Sequence, residues 1–183
     1  MLNETPRTVE EAYISAGSST NLRVEADRMG DADILIAAGW APCMLGGQLT
    51  RLRREWDGCS KPPLCSVTDA KLVMGSLKSL GGVLDALTVW AQAKRNPEPA
   101  RFALAITSHW LSDTCNACQG RGNESIPGTP KLGRTCKKCG GSGKAAVPMG
   151  QDGRKALNML DHCVTRAGAS MRKRLRASMG RPA

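Results

Sequence analysis

Two copies of one cysteine spacing constrain this chain more than any other feature. Residues 115–122 read CNACQGRG and residues 136–143 read CKKCGGSG, so both fit CxxCxGxG. A CxxC pair sets two thiolates on one tight knuckle, and two knuckles supply the four tetrahedral ligands that a structural zinc prefers. The glycines permit positive φ, so the chain can turn back with backbone N–H groups aimed at the sulfurs. Cys115, Cys118, Cys136 and Cys139 are therefore the expected ligands of one Zn2+. A closed four-cysteine site leaves no open coordination position, which makes the ion structural and not catalytic. Two independent redox CxxC pairs are the competing reading. That reading leaves the duplicated glycines unexplained, and no βαβ pattern surrounds either pair. Arg121, Lys131, Arg134, Lys137 and Lys138 flank the cysteines and offset the charge of a tetrathiolate.

The other four cysteines are scattered. The first residues, MLNETPRTVEEAY, carry acids and no apolar stretch, so they do not read as a secretory signal. Without export, the expectation is a reducing compartment, with Cys43 and Cys163 as small core residues and Cys59 and Cys65 flanking a Pro-Pro loop. No apolar run reaches the roughly 18 residues that a membrane span needs. A soluble, cytoplasmic protein is expected.

Aromatic residues make up only 3% of the chain, so any core must rest on Leu, Ala, Val, Met and the tryptophans. Such a composition favours helix over sheet. Residues 1–25 are polar and punctuated by Ser, Thr and Gly, and read as a flexible N-terminal arm. Residues 26–112 read as a helical body. Within it, Met29, Ile34, Leu35 and Ala38 mark a short helix, and Leu45, Leu49, Leu52 and Trp56 an amphipathic one. A long pattern from Val67 to Arg95 is N-capped by Ser66 or Thr68, with Gly81-Gly82 as a kink or split. Another helix runs from Ala100 to Ser112 and leads into Cys115. Residues 113–147 form the zinc-binding element. Residues 148–183 read as a basic helical pair: Asp152 caps the first helix, Ala167-Gly168 makes the turn, and Ser170 caps the second. A helix-turn-helix and an ordinary antiparallel pair fit that pattern equally well. The fold class expected is mainly α, a helical body with an inserted two-knuckle zinc element and a helix-turn-helix-like pair at the end.

Charge is distributed unevenly. Residues 1–120 hold 12 Lys and Arg against 13 Asp and Glu, whereas residues 121–183 hold 14 against 3. The whole excess lies in the last third, which suggests a polyanionic partner there, a solvated basic face being the plain alternative. No P-loop, HExxH, GxSxG or histidine–carboxylate cluster appears, and the only histidines, His109 and His162, fall on expected helices. The chain reads as a binding and regulatory protein, not an enzyme.

Paired CxxCxGxG elements resemble the cysteine-rich region of the Hsp40 (DnaJ) chaperones. That family carries four elements and a J-domain with a His-Pro-Asp triplet. This chain has two elements and no such triplet, so the resemblance concerns zinc geometry. A second resemblance covers more. The order FALAITSHWLSDT, CNACQGRG, linker, CKKCGGSG, KAAVPMG and then GRKALNMLDHCV…SMRKRLRAS is similar to the lambda-type late-gene antitermination (Q) proteins of lambdoid phages, over roughly residues 100–165. The resemblance implies binding to double-stranded DNA in a late promoter, association with bacterial RNA polymerase, and read-through of terminators in the host cytoplasm. It implies duplex contacts from Arg172, Lys173, Arg174 and Arg176 around the last helix, and backbone contacts from Arg154, Lys155 and Arg166. An Hsp40-like module for unfolded polypeptides and a conventional helix-turn-helix regulator are the alternatives.

Overall fold

Thr8 opens the first helix. Its Oγ1 accepts the Glu11 N–H at 3.2 Å, and the Glu11 carboxylate accepts the Thr8 N–H at 2.9 Å. This reciprocal capping box satisfies two N–H groups that the helix start would otherwise leave open. The helix it starts, α1 (Val9–Ala16), buries Tyr13 and Ala16. A packed helix thus lies within the stretch expected to be a flexible arm.

The computed structural model describes residues 8–23, 30–39, 44–59, 74–125 and 132–179. After α1 come α2 (Asp31–Gly39), α3 (Met44–Gly58), α4 (Leu80–Ala93) and α5 (Pro99–Leu111), then a two-stranded antiparallel ribbon, β1 (Asn123–Ser125) with β2 (Leu132–Thr135), and finally α6 (Gly150–Met179). The fold is mainly α, as expected. Among the described residues no helix is long and apolar enough to cross a membrane.

The chain divides into two compact units, the first comprising Met1–Val83 with Met159–Ala183 and the second Leu84–Asn158. The second therefore takes most of α4, all of α5 and the cysteine element, where the sequence places a boundary at 112–113.

In the first unit, Tyr13, Ala16, Ile34 and Ala37 form one cluster with Ala167, Met171 and Leu175 of α6. Here the expectation of a helical pair is corrected. Residues 150–179 are one continuous helix; Ala167 and Gly168 make no turn, and Ser170 caps nothing. The reason is packing. Ala167 is fully buried, and a Cβ on Gly46 of α3 would collide with the Cys163 carbonyl oxygen and lie 2.7 Å from the Ala167 Cβ. Small residues on both helices let their backbones approach closely.

The expected long helix is corrected as well. It is broken at Leu77–Ser79, not at Gly81-Gly82. The Glu55 carboxylate accepts the Ser79 N–H at 3.0 Å and the Ser79 hydroxyl at 2.8 Å, which fixes Ser79 at the start of α4. The two glycines then fall in its first turn. The suggested caps Ser66 and Thr68 lie outside the described residues, as do Cys43, Cys65 and Lys131.

In the second unit, Leu87, Ala91, Phe102, Ala103 and Ile106 are buried, and the Trp90 and Phe102 rings stack at 6.0 Å. Burying Phe102 and Ile106 stabilises the unit by roughly 1.5–3 kcal/mol each. Pro99 begins α5, where its missing N–H costs nothing. At the end of α4 the Asn96 N–H donates to the Ala91 carbonyl and the Arg95 N–H to the Gln92 carbonyl. That is a Schellman turn with arginine at the left-handed position, φ +57°. Glycine is usual there, and an L-residue costs about 1 kcal/mol more.

Two glycine substitutions should move stability in opposite directions. Gly46→Ala is expected to lose about 1–3 kcal/mol by overpacking. Gly81→Ala, whose Cβ would meet nothing within 4 Å, is expected to gain up to about 1 kcal/mol in α4. Urea unfolding followed by far-UV circular dichroism measures both.

Candidate metal centre

The two knuckles are built alike and close on each other. The Cys115 N–H donates to the Gly143 carbonyl at 2.8 Å, and the Cys136 N–H donates to the Gly122 carbonyl at 2.8 Å. Each knuckle's first cysteine is thus held by the other knuckle's last glycine. The glycines interlock in the same reciprocal way. A Cβ on Gly122 would strike the Gly141 carbonyl, and a Cβ on Gly143 would strike that of Gly120.

Backbone angles repeat as well. Gln119 and Gly140 have φ of +52° and +60°, Gly120 and Gly141 have +83° and +89°, and Gly122 and Gly143 have +76° and +72°. The two elements are one local structure used twice. Sequence reasoning missed part of the repeat: a threonine precedes each first cysteine. The Thr114 Cγ2 lies 3.3 Å from the Cβ position of Gly120, and the Thr135 Cγ2 lies 3.0 Å from that of Gly141. The repeated unit is therefore TCxxCxGxG.

Neighbouring segments seal the element. Strand β1 pairs with β2, aligning Asn123 with Thr135. On the other side Thr114 bridges to Lys144, and the Ala145 N–H donates to the Asp113 carbonyl at 2.7 Å. The Lys144 ammonium lies 2.8 Å from the Asp113 carboxylate and holds that carboxyl below its usual value. Chain entry and exit are thereby tied together.

This framework brings the four expected sulfurs into one cluster, all within 4.8 Å of one another. The Cys118 and Cys139 sulfurs are 3.7 Å apart. Four sulfurs each about 2.3 Å from a central ion would be separated by about 3.8 Å. Cys115, Cys118 and Cys136 are buried and Cys139 is half-buried. The four cysteines can hold a metal ion, and the soft donor set suits one that favours thiolate.

As free acids the Cys118 and Cys139 thiols differ. Burial pushes the Cys118 thiol up to about 11, despite a hydrogen bond from the Gly122 backbone. At Cys139 burial also works against ionisation, but hydrogen bonds from the Gly143 and Gly141 backbone outweigh it and bring the thiol down to about 6. The positive φ of these glycines aims their N–H groups at the sulfur. Neither histidine joins the cluster.

The expected nucleic-acid contacts are exposed. Arg154 and Lys155 lie near the start of α6, where Lys155 also meets Asp152 at 3.3 Å. In the first unit Arg166, Arg172 and Lys173 lie, by helical spacing, on the side of α6 away from buried Leu160, Ala167, Met171 and Leu175, whereas Arg174, seven residues after Ala167, is exposed at the margin of the buried stripe. Arg176 lies in α6, but its side chain is outside the described residues.

Compared with known protein families, curated proteins and solved structures, the chain matches none.

Metal analysis of the purified chain is expected to give one ion per chain, and Cys136→Ser to abolish it. Gly143→Ala should also lower metal affinity, although it removes no ligand, because the Cβ breaks the contact with Gly120. Uptake by the reduced, stripped chain near pH 7 should release protons, since a ligand such as Cys118 must lose its proton to bind. Affinity should fall as pH falls. Metal-indicator competition across pH measures both effects, and affinity independent of pH would contradict thiolate ligation.

Proposed function

We propose that this chain is a phage or prophage transcription antitermination regulator, not an enzyme. It holds one structural Zn2+ on Cys115, Cys118, Cys136 and Cys139, binds late-promoter duplex DNA, and joins bacterial RNA polymerase so that terminators are read through. The observation that carries this reading is the cationic face of α6: Arg166, Arg172 and Lys173 are exposed on the side away from its buried stripe. A helix so divided can hold its place in the core while presenting cations to phosphates. The excess of positive charge after residue 120 and the order of segments shared with lambda-type antitermination proteins support the same reading.

Zinc is the ion proposed because four thiolates in a closed tetrahedral arrangement, without redox or open-site requirements, match its structural chemistry. With α6 continuous, duplex contact is assigned to one face of a single helix and not to the second member of a pair. The work is proposed for the cytoplasm of a bacterial host.

Transcription on a template with a terminator downstream of the cognate late promoter tests the proposal. Read-through is expected only when that promoter DNA is present, and read-through that persists after its deletion would sink the idea. Salt-sensitive duplex binding with no read-through would favour a conventional transcription regulator. Suppression of client aggregation without DNA binding would favour the Hsp40-like alternative.

A further inference from the structure

The arginine at the end of α4 occupies a backbone conformation that glycine adopts with less strain. What that choice adds is a cation at the edge of a notch of about 180 Å3 in the second unit. Lys94 and Arg95 line this notch together with Lys155 from the start of α6, and with Asp152, Trp90 and Phe102. Asp152 is taken by Lys155 at 3.3 Å. Among the described residues neither Lys94 nor Arg95 has a carboxylate partner. The Lys94 ammonium sits 5.9 Å from the centre of the Trp90 ring, and Trp90 is itself stacked on buried Phe102. One of the cations thus rests on an aromatic support that the core holds in place.

Three cationic residues line the notch against one carboxylate, a balance that favours an anion, and size narrows which anion would fit. Sites for drug-sized ligands occupy about 300–1,000 Å3. A notch smaller than that suits a single phosphate group and not a whole nucleotide. Lys94 and Arg95 also come from the part of the sequence with no net positive charge, residues 1–120, so they are not part of a general basic run.

We infer that Lys94, Arg95 and Lys155 form a phosphate-binding notch that takes one backbone phosphate of duplex DNA. The inference rests on the proposed DNA-binding function and adds α4 to the elements that contact the duplex. Lys94 and Arg95 act as sequence-independent positioning contacts.

Arg95→Gly separates fold from charge, because it removes the cation while supplying the residue that the left-handed turn prefers. Full-length wild type, Arg95→Gly, Arg95→Lys and Arg23→Ala are titrated against a fluorescein-labelled duplex at several salt concentrations, and each is melted alone. Arg95→Gly is expected to melt no lower than wild type, yet bind several-fold more weakly, with a salt slope reduced by about 1. Arg95→Lys should bind close to wild type. Arg23→Ala loses the same charge from a residue that does not line the notch and should leave binding unchanged. Wild-type affinity and slope in Arg95→Gly, or an equal loss in Arg23→Ala, would overturn the notch alone. Wild-type chain that binds no duplex even at low salt would overturn the DNA-binding reading and the notch with it.

Discussion

Two backbone hydrogen bonds decide whether the cysteine element exists at all: Cys115 to Gly143 and Cys136 to Gly122. Each runs from one knuckle to the other, so a single CxxCxGxG copy has no partner to close on. The same reciprocity explains the glycines, since their missing Cβ atoms are what let the carbonyls of Gly120 and Gly141 come so near. Four thiols then lie close together before any metal is considered. Such a cluster is electrostatically unfavourable once several sulfurs ionise, and a divalent cation relieves the repulsion. An ion held by the four cysteines would couple to folding of the element, with backbone geometry supplying the shape and the ion the charge.

A second constraint governs α6. A 30-residue helix whose small residues face α3 cannot also turn at those residues. Ala167 and Gly168 illustrate a general ambiguity: small residues mark either a turn or a close helix crossing, and local sequence does not distinguish the two. What decides is whether another backbone lies against them. The Gly46 contact is made by residues more than a hundred positions away, so no window of sequence contains it.

That contrast accounts for what was legible. The sulfur ligands were readable because their spacing is local, repeated and tied to a specific chemistry, and the cluster includes all four named cysteines. Helices α2, α3 and α5 were readable from apolar periodicity to within a few residues. The capping box Thr8-x-x-Glu11 was also present in the sequence, but the polar character of residues 1–25 obscured it. By contrast, the break at Ser79 depends on Glu55, which is 24 positions away, and the joining of Lys94, Arg95 and Lys155 depends on tertiary placement. Neither leaves a local signal. Thr114 and Thr135 fall between these cases, since the repeat was visible and only its first position was overlooked.

The repeat also provides an internal control on the basic residues of the element. Knuckle one places Asn116 and Ala117 between its cysteines, and knuckle two places Lys137 and Lys138 there, yet the turns have the same backbone. The lysines are therefore not needed to form the turn. Four thiolates holding one divalent cation would leave two negative charges over, and nearby ammonium groups would lower the energy of that excess. Neutralisation alone, however, does not dictate which knuckle carries them. Both lysines lie in the second knuckle, after the point where the sequence becomes strongly basic, and both are exposed. Their placement follows the charge asymmetry of the whole chain more closely than it follows the symmetry of the metal site.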